Sequence, residues 1–111
     1  MQREDAIRLR HMLDAAEEAA RFVAGASRSD LDTNRMLAFA LVRAIEIVGE
    51  AAGKVSQETR IAYPDLPWRD MLGMRNRIIH AYFDIDFDRV WDTATEDLPP
   101  LADRLRAVLA P

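Results

Sequence analysis

Four side chains that can act on a phosphate ester lie within eight residues of one another: Arg75, Arg77, His80 and Tyr82. Imidazole titrates near neutral pH, so a histidine can take or give a proton during a reaction. Guanidinium stays charged and binds two phosphate oxygens at once. These groups suit RNA cleavage by attack of a 2′-OH on the adjacent phosphate, which needs a base, an acid and a cation. The pattern favours a reaction that requires no metal.

The same segment also has a purely structural interpretation. Cations are favoured near the C-terminus of a helix, and Ile78 and Ile79 would then be core residues with Tyr82 at the edge of the fold. On an ideal helix, moreover, Arg75 and His80 point about 140° apart. They can share a site if the long Arg75 side chain bridges part of the gap, if the helix ends near His80, or if His80 of one subunit joins Arg75 of another.

Few other residues suggest chemistry. The second histidine, His11, has no partner nearby in the chain and is expected to be a surface residue. Two distant histidines and no cysteine do not make a zinc site, so no metal or other cofactor is expected.

Glu46 and Glu50 are two acidic residues four apart in an otherwise apolar helical segment. They either help to orient Arg75 or pair with basic residues one turn away on their own helix, such as Arg43 and Lys54. The sequence leaves both interpretations open.

Composition limits the classes of function. The chain has 111 residues, a net charge of −4 and half of its residues hydrophobic, which suits one domain with a modest core. We expect a cytoplasmic protein, because no signal or membrane-spanning segment is evident. The negative charge argues against bulk electrostatic binding of long nucleic acid. A small basic patch is still expected, because Arg60, Arg69, Arg75 and Arg77 outnumber the acids between Arg60 and Tyr82.

Apolar residues recur at helical spacing throughout, which predicts an all-α, antiparallel bundle of four to five helices. A first helix precedes the Gly25–Asp30 break, a second runs from about residue 33 to 61 with Asp30 or Asp32 as its cap, and a third from about 67 to 79. After a turn at residues 83–86, a last helix capped by Asp86 runs to about residue 109. Its apolar phase continues across Pro99-Pro100, which predicts a kink there and not an end.

The predicted second helix is apolar on two sides. Leu37, Leu41 and Ile45 belong to its main stripe, while Phe39 and Val42 belong to a second set that widens the apolar surface. A helix with so broad an apolar surface is buried on two sides. In so short a chain, the second side is expected to meet another subunit.

The order Arg75, four residues, His80, one residue, Tyr82 resembles the signature of the HEPN superfamily, and specifically of the HepT-like toxins. The resemblance covers nearly the whole chain. Further segments that resemble the family are Ala44–Ala52, Leu66-Pro67-Trp68, Phe83–Asp86, Val90-Trp91 and Asp97–Leu101.

This resemblance implies a single HEPN-like helical domain over residues 1–111 that forms a homodimer, with both copies of the motif in one cleft. It implies a metal-independent endoribonuclease in which Arg75 and His80 are catalytic and Asn76 and Arg77 support them. It also implies a partner, a minimal nucleotidyltransferase antitoxin that transfers AMP to Tyr82 and so inactivates a toxin. No membrane partner is expected. Two alternatives remain: a non-catalytic HEPN subunit that binds nucleotide and partner, or a plain helical dimerisation module.

Overall fold

The computed structural model describes residues Met1 to Pro111. Its elements, in chain order, are α1 (Arg3–Val23), α2 (Asp30–Thr33), α3 (Arg35–Gly53), α4 (Gln57–Ala62), α5 (Trp68–Ile78), β1 (Ile79–Ala81), β2 (Asp84–Ile85), α6 (Phe87–Asp92), a π-helical turn (Thr93–Asp97) and α7 (Leu98–Leu109). The four main helical segments are α1, α3, α5 and the α6–α7 unit, so the predicted all-α bundle is confirmed. None of the helices is long and apolar enough to cross a membrane.

The bundle is held together by one cluster of buried apolar side chains. Helix α1 packs against α3 and α7, and α3 packs against α5. From α1, Leu9, Leu13 and Ala16 are buried as the helical spacing predicts, whereas Ala20 is exposed. Because α3 contacts both α1 and α5, it is the central helix of the bundle and fixes the position of α5.

The predicted second helix is interrupted at a point where its apolar periodicity predicts continuity. Helix α3 ends at Gly53, and α4 begins after Ser56, whose hydroxyl oxygen accepts the backbone N–H of Thr59 at 3.3 Å. The carboxylate of Asp5 on α1 accepts hydrogen bonds from the Ser56 backbone N–H at 3.0 Å and the Ser56 hydroxyl at 2.6 Å. A tertiary contact that periodicity does not reveal thus stabilises the break.

The N-terminal cap of α3 also differs from the prediction. Asn34, and neither Asp30 nor Asp32, caps α3 by accepting the backbone N–H of Leu37 at 3.0 Å. Asp30 instead accepts the backbone N–H of Ser27 at 2.8 Å, because it lies in the separate short helix α2.

The second apolar face of α3 is only partly covered. Val42 is buried and Ile47 is half-buried, but Phe39 is 54% exposed and Met36 is 84% exposed. The guanidinium of Arg35 lies over the Phe39 ring, 4.8 Å from its centroid. One end of α3 therefore presents apolar surface that this chain does not bury.

The last helical segment continues across Pro99-Pro100, as its apolar phase predicts, but its irregularity lies one turn earlier than expected. Two consecutive prolines leave two carbonyls of the preceding turn without backbone donors. The chain accommodates the missing donors by forming the wider π-helical turn Thr93–Asp97, in which the Leu98 backbone N–H donates to the Thr93 carbonyl. Ala94, Leu98 and Leu105 remain on the buried side. Asp86 caps the segment as predicted, accepting the Arg89 backbone N–H at 3.1 Å.

A small antiparallel hairpin replaces the simple turn expected after α5. Strand β1 pairs with β2 around Tyr82 and Phe83, with Ala81 opposite Asp84. The Asp86 backbone N–H donates to the Ile78 carbonyl at 2.8 Å, which closes the hairpin against the end of α5. The strands are too short to show period-two alternation, so the apolar pattern of the sequence does not predict them.

Candidate active site at the end of helix α5

Helix α5 lies close against α3 because a glycine stands at the crossing. A Cβ atom added at Gly49 would be 3.2 Å from the backbone oxygen of Met71, so a larger residue would push the helices apart. Gly53 lies near Leu72, and Glu46 lies beside Arg75. As the chain advances along α5, its contacts therefore move back along α3, which shows that the two helices are antiparallel.

Arg75, on the last turn of α5, is held by Glu46. Its Nε lies 3.3 Å from the Glu46 Oε2 atom, and the Arg75 side chain is 55% exposed while that of Glu46 is 22% exposed. The carboxylate holds one edge of the guanidinium and leaves much of the group accessible to a ligand. Of the two interpretations of Glu46, the structure therefore favours the one in which it orients Arg75.

Glu50 makes a different contact. Its Oε1 lies 3.4 Å from an Nη1 atom of Arg43, seven residues earlier on the same helix. The one-turn pairs considered from the sequence, Arg43 with Glu46 and Glu50 with Lys54, do not form. Glu50 is thus an intrahelical partner, while Glu46 belongs to the surroundings of Arg75.

His80 lies beyond the end of the helix, at the centre of β1. Its neighbours Ile79 and Ala81 are half-buried, so the strand alternation directs the imidazole outward. The His80 Nδ1 atom lies 3.5 Å from Oδ2 of Asp84, across the turn of the hairpin. The ideal-helix angle between Arg75 and His80 does not apply, because α5 ends at Ile78.

The role of Asp84 is not evident from the sequence. The sequence shows only that Asp84 lies four residues after His80, a spacing that is common between paired side chains on a helix. The hairpin is what sets the two side chains opposite each other, and it was not predicted. Each of the two motif residues therefore has its own carboxylate, Glu46 for Arg75 and Asp84 for His80.

The structure separates Arg77 from this arrangement. Arg77 is two residues from Arg75 and so points to the other side of α5. It donates to the backbone carbonyl of Asp70 and lines a cleft with Glu96 and Asp97. Asn76 is exposed beside Arg75. Of the two expected supporting residues, Arg77 thus contacts a different part of the surface, whereas Asn76 forms no side-chain hydrogen bond within the chain.

Tyr82 occupies the tip of the hairpin and is 93% exposed. Its ring packs edge-to-face against that of Phe83, with centroids 5.3 Å apart. The structural interpretation placed Tyr82 against the edge of the bundle, and this is wrong. A large, exposed phenol two residues from His80 is accessible to a second protein.

The other histidine is remote from the motif. His11 is exposed, as expected, and lines a cleft between α1 and α3 together with charged side chains that include Arg43 and Glu50. No group of three or more His, Cys, Asp or Glu side chains is arranged to hold a metal ion.

An all-α bundle with Arg75, His80 and Tyr82 exposed at the end of one helix is the arrangement of a HEPN-type protein. Residues 12–108 match the family described as "Ribonuclease HepT-like", and the chain belongs to this family. The family resemblance drawn from the motif is thereby confirmed.

Individual relatives agree with this assignment. One, from Thermococcus cleftensis and named "Probable ribonuclease HepT", is 36% identical over 93 residues, which cover 84% of each chain. A "Putative RNase" from Methanocaldococcus jannaschii is 33% identical over 97 residues, covering 87% of this chain and 89% of the relative. Another from Caldanaerobacter subterraneus is 33% identical over 101 residues, covering 91% of this chain and 90% of the relative. No solved structure gives a significant match.

Proposed function

We propose that the protein is a metal-independent endoribonuclease that cleaves RNA by attack of a 2′-OH on the adjacent phosphate. The observation that carries this proposal is the exposure of Arg75 and His80, each within 3.5 Å of a carboxylate of the same chain. Membership of the ribonuclease HepT-like family supports the choice of RNA as substrate.

Arg75 is assigned the charge-stabilising role. The negative charge on the phosphate oxygens grows as the 2′ oxygen attacks, and a guanidinium beside them stabilises that charge. Because Glu46 contacts Nε, the terminal nitrogens remain available to the phosphate. Glu46 acts as a positioning residue that limits the orientations of Arg75.

His80 is assigned the proton-transfer role. Asp84 lies beside Nδ1, so Nε2 is the ring nitrogen left free to exchange protons with the substrate. As base, Nε2 takes the 2′ proton while the new O–P bond forms. As acid, it gives a proton to the 5′ oxygen when the old P–O bond breaks, leaving a 2′,3′-cyclic phosphate and a 5′-hydroxyl.

One imidazole cannot be base and acid in the same step, so the site is proposed to contain two. In a homodimer with the motifs facing each other, one His80 would act as base and its partner's copy as acid. The exposed apolar surface at Met36 and Phe39 supports an assembly of more than one chain.

The protein is further proposed to be the toxin of a toxin–antitoxin pair, of the kind called type VII, with a minimal nucleotidyltransferase as antitoxin. The Tyr82 hydroxyl would attack the α-phosphate of a nucleoside triphosphate, forming an O–P bond and releasing pyrophosphate. Its exposure at the hairpin tip meets the steric demand of that transfer. The attached anionic nucleotide would occupy the phosphate site beside His80 and repel RNA.

The central test is cleavage of a fluorescent RNA in the presence of EDTA by wild-type protein and by His80→Ala. His11→Ala is the matched control, since it removes the other exposed histidine. Loss of cleavage in His80→Ala alone, by about a hundredfold or more, is the expected result. Wild-type cleavage by His80→Ala would refute the catalytic role, and intact RNA with folded, unmodified wild type would favour a non-catalytic subunit.

The regulatory proposal is tested separately by mass spectrometry of the protein produced with and without the nucleotidyltransferase. We expect a mass increase in AMP-sized steps that maps to Tyr82 and is absent from Tyr82→Phe. A modification that maps to another residue would contradict the assignment without affecting the cleavage test.

A further inference from the structure

A second cationic surface lies on the same helix as Arg75. Arg69, Leu72 and Arg75 are spaced three residues apart on α5, so they form one ridge along the helix, with about 4.5 Å of rise between neighbours. Leu72 is 42% exposed. The ridge leads from the proposed catalytic arginine towards α4.

At the α4 end of this ridge is an open pocket of about 480 Å³. Its lining residues come from α4, α5 and the connection between them: Gln57, Arg60, Ile61, Pro64, Trp68, Arg69 and Leu72. None of them is acidic, although the chain carries a net charge of −4. Of the acids close to it in the chain, Asp70 contacts Arg77 and Glu58 lines a different pocket.

The two arginines of the pocket have no carboxylate partner. Arg60 lies over the Trp68 ring at 5.8 Å and donates from Nη2 to the Ala52 carbonyl at 3.1 Å, while its Nε is buried without a hydrogen-bond partner. Arg69 is exposed and forms no ion pair. By contrast, the half-buried Arg28 and the exposed Arg106 are paired with acids. Positive charge is therefore uncompensated in this pocket.

The pocket also has an apolar floor. Ile61 is 69% exposed and faces the pocket beside Leu72. Trp68 stays half-buried, and its indole N–H donates to the Tyr63 carbonyl at 2.9 Å, which fixes the ring beneath Arg60. Cations beside apolar side chains suit single-stranded nucleic acid, because phosphates and unstacked bases alternate along it.

We propose that this pocket is a subsite for single-stranded RNA, which binds the nucleotides next to the phosphate at Arg75. Arg60 and Arg69 contact the phosphates, and one unstacked base lies on Ile61 and Leu72. The proposal rests on the ribonuclease function proposed above and names its substrate as a single-stranded segment longer than the bond that is cut. A double-stranded RNA would keep its bases stacked and would not use the apolar floor.

The test is a binding measurement that does not depend on cleavage. A short, fluorescent 2′-O-methyl oligonucleotide cannot be cut, because its 2′ oxygen carries no proton, and its affinity is read by anisotropy at several salt concentrations. Arg69→Gln is expected to weaken binding about fivefold and to lower the slope of log K against log salt by about 0.7, the value for one lost phosphate contact. Ile61→Ser is expected to weaken binding about fivefold with an unchanged slope.

Matched controls are available on α1. Arg21→Gln makes the same charge change at an exposed arginine without an ion pair, and Ile7→Ser removes an exposed apolar side chain. Neither should change affinity by more than the small effect of net charge. Equal effects of Arg69→Gln and Arg21→Gln would overturn the proposal, as would a wild-type protein that does not bind the oligonucleotide.

A second outcome assigns the pocket to another copy of the chain. If Ile61→Ser turns a dimer into a monomer in sedimentation while Arg69→Gln leaves RNA affinity unchanged, the pocket is a subunit interface and the subsite proposal is wrong. Failure of the ribonuclease function itself would appear differently, as intact cleavable RNA with wild-type protein and RNA affinity still dependent on Arg69.

Discussion

Removal of Glu46 should lower the rate of RNA cleavage far more than it lowers the stability of the fold. The Glu46–Arg75 pair is 3.3 Å long, and the arginine is more than half exposed. Because solvent screens so exposed an ion pair, it contributes about 0.2–1 kcal/mol to the free energy of unfolding. Glu46→Ala should therefore leave the midpoint of thermal unfolding within a few degrees of wild type.

The expected effect on catalysis is larger, because the loss is one of orientation. Residues that only position a catalytic group typically contribute about 10- to 100-fold, which corresponds to about 1.4–2.7 kcal/mol of activation free energy. The carboxylate also neutralises part of the charge on Arg75. Its removal should leave KM for RNA unchanged or lower, so the loss should fall on kcat.

Steady-state cleavage of a fluorescent RNA measures both constants, and the chain provides a matched control. Glu50→Ala removes a carboxylate one turn along α3 that pairs with Arg43 and not with Arg75, so its kcat should stay near wild type. In an Arg75→Ala background, Glu46→Ala should have no further effect on kcat. Equal losses in the two glutamate variants, or additive losses with Arg75→Ala, would refute the positioning role.

Two further predictions concern stability. Gly49→Ala should destabilise the protein by about 1 kcal/mol, because its Cβ would lie 3.2 Å from the Met71 carbonyl oxygen. Gly73→Ala, where a Cβ would meet open space, should stabilise the protein by about 0.5–1 kcal/mol. An equal rise in melting temperature for both variants would contradict the close contact at Gly49. Hydrogen bonds from the hydroxyls of Ser56 and Thr59 and from the Ser56 backbone lower the pKa of Asp5 below 3.8. Its stabilisation is therefore complete above about pH 5 and is lost as pH falls through the lowered pKa. Asp5→Asn should melt earlier than wild type at pH 7 and by a smaller difference near pH 3, and a difference independent of pH would contradict this.

Local sequence information determined the helical elements and the residues of the motif. The spacing of apolar residues by three and four is set within each helix and does not involve its neighbours. It therefore predicted α1, α5 and the helical segment across Pro99-Pro100. The chemical groups of Arg75, His80 and Tyr82 are given by the residue types alone. Together with the surrounding segments, these three residues were sufficient to identify the family.

The tertiary structure decided which groups surround the motif. Glu46 lies 29 residues from Arg75 in the chain, and only the close crossing of α3 and α5 at Gly49 brings the two together. Asp84 faces His80 because a seven-residue hairpin, with strands too short for any periodic signal, follows α5. Arg77 carries the same charge as Arg75 and lies in the same segment, but it contacts Asp70 because it is on the other side of the helix. Residue type and order set the available chemistry, whereas long-range packing, which depends on all the helices at once, selected the partners of each group.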